Sequence, residues 1–201
     1  MTHTEAMSDV EAAAHEIQDG NVVVYPTETV YGLGADATDP DAVARVFDLK
    51  GRSREKPVSL GVPDISTARE YTHLTDLEVA FVREFLPGPV TVVVERGDAV
   101  PDVLTAGRDR VGVRIPDHDL ALDLYERAGV PVTATSANLS GTGSVRRVEA
   151  LSAEIREGVA AILDGGETPG GGSTVVDVST GTIHRRGANA DAIERWLDDN
   201  A

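Results

Sequence analysis

Residues 21–34 read Asn-Val-Val-Val-Tyr-Pro-Thr-Glu-Thr-Val-Tyr-Gly-Leu-Gly, an apolar run followed by hydroxyls, a carboxylate and glycines. The apolar run, 21–25, is predicted to be a short buried strand, and Pro26 ends it. Open α/β sheets bind their ligands at loops that follow strands. Residues 26–34 therefore fit a small polar pocket that a ligand can approach closely, and they fit an ordinary turn between a strand and a helix equally well.

Helices and strands alternate on both sides of this stretch. The helix signals are a capping box from Ser8 to Glu11, Pro40 in a first turn, and a second capping box from Thr75 to Glu78. The strand candidates are 58–62, 90–95, 111–115, 130–134, 160–163, 174–178 and 182–185. Alternation of this kind predicts an α/β domain. The last two strands are predicted to form a hairpin, which makes the sheet mixed.

The expected domain organisation is simple. A chain of 201 residues fits one domain, predicted to span residues 8–190. Residues 1–7 are expected to be a flexible N-terminus, residues 190–198 a C-terminal helix, and the glycine-rich stretch 165–172 a flexible loop. No apolar run is long enough to span a membrane, and the first residues do not read as a signal peptide. A cytoplasmic protein is therefore expected.

The composition excludes some kinds of site. Without cysteine the chain has no disulfide, no cysteine-bound zinc and no thiol nucleophile. The five histidines lack metal-ligand spacing, so no protein-bound metal is expected. A net charge of −16 indicates either an acidic face for a cationic partner or a surface adapted to high salt. The scarcity of lysine, two residues among 18 lysines and arginines, favours the second reading and a halophilic host.

Both lysines lie in one seven-residue segment, Lys50-Gly-Arg-Ser-Arg-Glu-Lys56, which carries four cations. Cations spaced two residues apart can contact separate oxygens of one triphosphate, arginine through a bidentate fork and lysine as a point charge. In an otherwise acidic chain this cluster predicts an anion site. The alternative is a solvated turn that Glu55 partly neutralises.

Two more polar segments follow strands. Residues 135–141, Thr-Ser-Ala-Asn-Leu-Ser-Gly, carry hydroxyls and an amide that can bond phosphate or ribose, although the same residues are common in turns. Residues 173–177, Ser-Thr-Val-Val-Asp, come after the glycine-rich stretch, with Arg185 downstream able to reach a phosphate; a plain hairpin is the alternative. His118 is more typical of a helix start than of a catalytic base.

Together these segments resemble the threonylcarbamoyl-AMP synthase family, the YrdC-like domain. The matching pieces follow the family's order: P-T-E-T-V-Y-G-L at 26–33, K-G-R at 50–52, K-P at 56–57, P-G-P-V-T at 87–91, V-G-V-R-I-P at 111–116, S-A-N-L-S-G at 136–141, S-T-V-V-D at 173–177 and R-R-G-A at 185–188. Larger members carry a further C-terminal domain, so this length is typical of the short, single-domain type. The resemblance implies a twisted, mixed but mostly parallel sheet flanked by helices, with a concave cationic cavity.

The resemblance also implies a reaction. L-Threonine and bicarbonate or CO₂ form a carbamate, which attacks the α-phosphorus of ATP, with Mg²⁺ on the nucleotide, to give threonylcarbamoyl-AMP and pyrophosphate. A separate transferase complex then passes the product to tRNA. By analogy, Lys50 and Arg52 act on the phosphates and the developing charge, and Ser136 and Asn138 orient the nucleotide. The implied ATP-binding residues are Arg52, Lys56, Ser136, Asn138, Ser144 and Arg185. The implied threonine-binding residues are Thr29, Arg114 and Ser173, with Arg114 as a partner of the carboxylate.

One strand departs from the family's pattern. Some members place a threonine-binding histidine after K-x-R, where this chain reads Ser59-Leu-Gly-Val62. Two alternative functions are a related adenylating enzyme with another acceptor and a non-catalytic module that binds double-stranded RNA or tRNA. The acidic net charge and the scarcity of aromatic residues, 4 % of the chain, argue against the second.

Overall fold

The structure, a computed structural model, describes the backbone of residues 3–200 and the side chains of residues 9–200. The α-helices are α1 (His3–Gln18), α2 (Pro40–Lys50), α3 (Ile65–Tyr71), α4 (Asp76–Phe85), α5 (Asp102–Thr105), α6 (Asp119–Ala128), α7 (Ala153–Gly158) and α8 (Ala190–Asp199). The strands are β1 (Val23–Tyr25), β2 (Gly32–Gly34), β3 (Ser59–Gly61), β4 (Thr72–His73), β5 (Val90–Arg96), β6 (Arg110–Arg114), β7 (Val132–Ser136), β8 (Ala161–Ile162), β9 (Thr174–Asp177) and β10 (Thr182–Arg185). None of the helices in this range is long and apolar enough to cross a bilayer.

The strands form one sheet in the order β10-β9-β5-β6-β3-β7-β2-β1-β8, and β4 pairs with β5. The predicted α/β class and mixed sheet are confirmed. The expectation of a mostly parallel sheet is wrong, because only β1–β8, β3–β6 and β5–β9 pair in parallel and the other pairings are antiparallel. Parallel neighbours need a crossover of about a dozen residues. Residues 26–31 and 178–181 are too short for that, so β1–β2 and β9–β10 run antiparallel.

One face of the central strands packs on helices and the other lies open. Successive strand residues point to opposite faces. The buried apolar residues of β3, β5 and β6 and their flanks alternate accordingly, and they pack against Phe47 of α2, Phe81 of α4 and Ile193 of α8. These strand residues are Val58, Leu60, Val62, Val90, Val92, Val94, Val111, Val113 and Ile115. The intervening positions on the opposite face, such as Thr91 and Gly112, line a cavity.

Helices α1 and α6 cover only part of that second face. They pack against Val23, Tyr25 and Val132 of β1 and β7 through Ile17 and Leu124. Nothing among residues 9–200 extends this helical layer over β5, β6 and β9, whose side chains on that face line the cavity. The cavity therefore lies on the part of this face that α1 and α6 leave uncovered.

Most helix boundaries follow their predicted signals. The capping box at Thr75 and Glu78 is present, with the Thr75 backbone N–H donating to Glu78 over 2.8 Å. Helix α2 ends at Gly51, whose φ of 57° is the left-handed conformation that glycine adopts without strain. Helix α1 begins at His3, so the prediction that Ser8 caps it is wrong. The residues in front of Ser8, Glu-Ala-Met, favour helix and extend it.

The expectation of a flexible N-terminus at residues 1–7 falls partly on Met1 and Thr2, which lie outside the described residues. Residues 3–7 belong to α1.

The stretch 26–34 is only partly a loop. Its last three residues form β2, which lies between β1 and β7 in the sheet. Glycine is needed there because a Cβ on Gly32 would lie 2.8 Å from Cζ of Tyr25, and one on Gly34 would lie 3.0 Å from Cε1 of the same ring. The Gly-Leu-Gly sequence therefore makes room for a buried tyrosine, and the polar loop is confined to residues 26–31.

Candidate active site

A cavity of about 680 Å³ lies on the open face of the sheet. This volume is in the range of small-molecule sites. Strand β6 crosses its floor and presents Arg110, Gly112 and Arg114, which alternate with buried valines. The loops that follow β1 and β7 contribute hydroxyl groups, and the end of the glycine-rich stretch contributes backbone.

The cavity brings together seven of the ten site residues predicted from the sequence. They are Thr29, Arg52, Arg114, Ser136, Ser144, Ser173 and Arg185. The other three, Lys50, Lys56 and Asn138, do not line it. Lys56 is exposed, and the structure shows its backbone carbonyl accepting a hydrogen bond from Nε of Arg52 over 3.0 Å.

Three arginines form a row along the cavity, Arg52 after α2, Arg185 in β10 and Arg114 in β6. Burial and the charge of Arg185 lower the pKa of Arg52, and burial and the charge of Arg114 lower the pKa of Arg185. Arginine nevertheless stays charged. Within residues 9–200, Arg52 and Arg185 have no carboxylate partner, so their positive charge is available to an anion.

Backbone and side-chain acceptors hold the two unpaired arginines in place. Arg52 donates from Nε and Nη2 to the carbonyls of Lys56 and Pro57, over 3.0 and 2.9 Å. Arg185 donates from the same two nitrogens to the carbonyl and hydroxyl of Ser173, over 2.9 and 2.7 Å. In each case these bonds leave Nη1 for a ligand.

Lys50 does not point into the cavity. It is only 3 % exposed, and its ammonium donates to the carbonyls of Ser136 and Asn138, the latter over 2.7 Å. The Lys50 carbonyl in turn accepts from the Ser140 N–H over 2.8 Å. Burial and the charge of Arg52 lower the pKa of Lys50 from 10.5 to about 8. Lys50 therefore ties the end of α2 to the loop that follows β7.

Asn138 belongs to the same loop and shapes it from within. Its amide nitrogen donates to the carbonyls of Leu139 and Thr142, over 2.8 and 2.9 Å, and its amide oxygen accepts from the hydroxyl of Ser136. Ser136 lines the cavity. Of the predicted nucleotide-orienting pair, Ser136 therefore faces the cavity, and Asn138 holds the Ser136 hydroxyl.

At the other end of the row, Arg114 is held by the loop after β1. Its Nη2 donates to Oε1 of Glu28 over 3.0 Å and to the hydroxyl of Thr29 over 2.8 Å. The Thr29 hydroxyl also contacts that of Thr27 at 2.9 Å. Every hydrogen bond found for Arg114 among the described side chains runs through Nη2, so Nε and Nη1 remain for an anionic ligand.

Ser173 joins the two predicted sets of residues. Its hydroxyl accepts from Arg185 of the ATP set and contacts the hydroxyl of Thr91 at 3.2 Å. Ser173 itself belongs to the threonine set, with Arg114. The two sets therefore line one continuous cavity, which would place two ligands side by side.

The glycine-rich stretch 165–172, predicted to be a flexible loop, makes hydrogen bonds to residues of the cavity wall. The N–H of Gly165 donates to the Tyr31 hydroxyl over 3.1 Å, and that of Gly170 donates to the Thr29 carbonyl over 2.7 Å. A Cβ on Gly170 would lie 2.9 Å from Nε of Arg146, so glycine lets the loop pass beneath that side chain.

Several cavity residues were not predicted from the sequence. Arg110 is one, and it donates to Asp177 over 2.8 Å at the far end of the floor. The sequence did contain a signal for Arg110, because alternate residues of a strand point to the same face and Arg110 lies four residues before Arg114. Tyr31 belongs to the motif at residues 26–33. Its side chain points inward because its hydroxyl contacts residues 164–166, and no local sequence pattern predicts that contact.

Among the side chains of residues 9–200, histidines, aspartates and glutamates do not gather in groups of three that could hold a metal ion. Asp177 lines the cavity and pairs with Arg110, and Glu28 pairs with Arg114. The donor set therefore does not fit a metal held by the protein alone.

The chain is similar to several known proteins. The model of the Sua5/YciO/YrdC family, described as telomere recombination, matches residues 15–187. The chain is 38 % identical over 175 residues to the threonylcarbamoyl-AMP synthase of Pyrococcus abyssi, an alignment that covers 85 % of this chain and 51 % of that protein. It is 34 % identical over 186 residues to the threonylcarbamoyl-AMP synthase of Vibrio parahaemolyticus, covering 90 % of this chain and 100 % of that one.

A solved structure shares the fold. The crystal structure of P. abyssi Sua5 complexed with L-threonine has a TM-score of 0.86 and 37 % identity, covering 90 % of this chain and 54 % of that one. The chain spans about half the length of the P. abyssi synthase and 46 % of the length of the Bacillus subtilis synthase. The family match, the relatives above 30 % identity and the common fold lead to one conclusion: the chain belongs to the Sua5/YciO/YrdC family.

Proposed function

We propose that this chain is a threonylcarbamoyl-AMP synthase, which adenylates a carbamate of L-threonine. L-Threonine and bicarbonate or CO₂ form the carbamate. A carbamate oxygen attacks the α-phosphorus of ATP, a new P–O bond forms, and the bond to the β-phosphate breaks to release pyrophosphate. The product is a mixed anhydride for a tRNA-modifying transferase complex, and we expect the reaction to take place in the cytoplasm.

The observation that carries this proposal is the row of arginines in one cavity of an acidic protein. Phosphoryl transfer needs positive charge on the triphosphate and little covalent help from the protein. Arg52 and Arg185 offer that charge without a competing carboxylate, and Ser136 and Ser144 offer hydroxyls beside them. The guanidinium groups of Arg52 and Arg185, held in place as described, are preorganised donors of the kind that stabilise charge developing in the transition state.

The opposite end of the row suits an amino acid. Arg114 keeps Nε and Nη1 for a carboxylate, a pairing that arginine makes bidentately. Thr29 and Ser173 lie on either side of the cavity there, and Ser173 also contacts Arg185. An amino acid held by Arg114 would have its nitrogen directed along the row toward the nucleotide.

The arrangement also suits a labile intermediate. A carbamate loses CO₂ in water, so it must form close to ATP and react before it escapes. The two ligand sets line one cavity, and the anchored loop 165–172 forms part of its wall. Mg²⁺ would be held mainly by the phosphate oxygens, where it would neutralise charge on the departing pyrophosphate. The proposal extends to two further steps, direct contact with tRNA and transfer of the threonylcarbamoyl group to the modification machinery. Each of these steps is tested by an assay of its own.

The test is pyrophosphate release from ATP and Mg²⁺ in molar KCl, with and without L-threonine and bicarbonate. We expect release only when both are present, and the adenylate should be detectable by mass spectrometry. Release with another amino acid in place of threonine would contradict the substrate and leave the adenylation chemistry standing. No release with any amino acid, from protein shown to be folded, would contradict the enzymatic proposal, and binding of tRNA would then be measured in the same salt.

A further inference from the structure

Two buried tyrosines lie behind Arg114, and the proposed function so far gives them no role. They are Tyr25 at the end of β1 and Tyr125 in α6, with ring centroids 5.6 Å apart in an edge-to-face arrangement. The Tyr125 hydroxyl donates to the Tyr25 hydroxyl over 2.8 Å, and the Tyr25 hydroxyl donates to the Thr133 carbonyl over 3.2 Å. Tyr25 lines the cavity.

The strand register places this pair beside Arg114. Gly61 of β3 is the register partner of Arg114 in β6, and partners in register point to the same face of the sheet. A Cβ on Gly61 would lie 2.6 Å from Cζ of Tyr125, and closer still to the hydroxyl. The end of the Tyr125 ring therefore occupies the place that a side chain at position 61 would take next to Arg114.

The hydroxyl hydrogens of both tyrosines are already used. A carbonyl can only accept, so Tyr25 must give its single hydrogen to Thr133, and Tyr125 gives its own to Tyr25. Burial raises the pKa of Tyr25 to about 12 and that of Tyr125 well above its ordinary value, so both stay protonated at neutral pH. What the pair has left to offer a ligand is an oxygen lone pair.

We propose that the Tyr25–Tyr125 hydroxyl pair is the specificity-determining wall of the amino-acid subsite. It accepts a hydrogen bond from the hydroxyl of the substrate side chain and closes the subsite beyond it. The preferred substrate is therefore a short β-hydroxy amino acid. This inference rests on the proposed function, in which Arg114 holds the carboxylate of the same molecule.

The preference for threonine over valine directly measures how much the tyrosine pair contributes to specificity. The two side chains have nearly the same shape, and only threonine has the hydroxyl. A site that bonds a substrate hydroxyl rejects the analogue that lacks it far better than an apolar pocket can. In Tyr25→Phe we expect the preference for threonine over valine to fall by about tenfold to a hundredfold, with the KM for ATP unchanged. Tyr125→Phe should cause a smaller loss in the same direction, because Tyr25 keeps its oxygen.

The experiment combines calorimetric titration of the folded protein with threonine, serine and valine, and pyrophosphate release with the same amino acids. The ratio between two amino acids is read within one variant, so partial unfolding cancels. Tyr71→Phe is the matched control, since Tyr71 packs against the main core and does not line the cavity. It should leave the ratio unchanged.

The outcomes separate the inference from the function it rests on. If the wild-type preference for threonine over valine persists in Tyr25→Phe, the tyrosine pair does not determine specificity. The synthase proposal would then still stand. A preference that falls in Tyr25→Phe and Tyr125→Phe and stays unchanged in Tyr71→Phe supports the inference. Wild-type protein that binds ATP and no amino acid would overturn the amino-acid subsite itself, and the inference with it.

Discussion

Replacing Arg52 with alanine is expected to lower kcat for adenylation by about 10²–10³-fold, the size of effect seen when one preorganised donor to a developing charge is removed. Arg52 is held by two backbone carbonyls with Nη1 directed away from them, and no described carboxylate neutralises it. Its loss would remove a charge and leave the fold in place, because its bonds lie in a surface loop. Threonine- and bicarbonate-dependent pyrophosphate release measures the effect, with circular dichroism to confirm folding.

The matched control is Arg54→Ala. Arg54 is in the same cationic segment, but its guanidinium pairs with Asp48 over 2.6 Å and stacks on Phe47 at 5.0 Å. We expect activity within about twofold of wild type, since exposed pairs of this kind contribute little. If both variants lost activity equally, the role of Arg52 would be the general charge of the segment. Full activity in Arg52→Ala would contradict any role of Arg52 in the reaction.

The second large effect is expected for Lys50→Ala, a residue that does not line the cavity. Its removal would leave the Asn138 carbonyl without its ammonium donor, at a cost of about 1–3 kcal/mol if that carbonyl stays buried, whereas the Ser136 carbonyl keeps the Asn138 N–H at 3.0 Å. The loop after β7 would relax and Ser136 would leave its position. We expect a loss of about 10²-fold in kcat/KM, because small misplacements of positioning groups have effects of this size.

Lys56→Ala is the natural comparison, as it removes the other lysine of the chain. Its exposed side chain leads us to expect a smaller effect, confined to the KM for ATP. A larger loss in Lys56→Ala than in Lys50→Ala would contradict the positioning role that the structure assigns to Lys50.

The same lysine predicts how ATP affinity depends on pH. Burial and the charge of Arg52 lower the pKa of Lys50 to about 8. Phosphates nearby favour the ammonium form and raise that pKa. Binding then takes up a proton, so affinity for ATP should fall as pH rises above about 8. Titrations between pH 7 and 9.5 would show this slope in wild type, and its persistence in Lys50→Ala would assign it to another group.

Local signals predicted the frame of this site well. Pro40 marks the start of α2, and the capping box at Thr75 and Glu78 marks the start of α4. Each of these depends on neighbours in sequence, so the pattern contains the information. The order of strands does not, because a parallel or antiparallel partner is chosen by connection length and tertiary packing.

The direction of individual side chains was also beyond the sequence. Lys50 was predicted to contact phosphate, and its ammonium instead reaches carbonyls 86 and 88 residues away along the chain. The sequence showed only that residues 59–62 lack the histidine of some family members, and the structure places Tyr125, from a helix, next to Gly61 of that stretch. Contacts between such distant positions leave no local trace, so only the folded chain reveals them.

The arginine row has a kinetic consequence in a protein with a net charge of −16. In dilute buffer the field of the acidic surface extends about 10 Å or more from the protein and repels a nucleotide before it meets the cavity. Added salt screens this repulsion at long range, yet weakens the contacts inside a partly enclosed cavity much less. Encounter with ATP should therefore become faster as ionic strength rises, the reverse of the usual trend for phosphate-binding proteins.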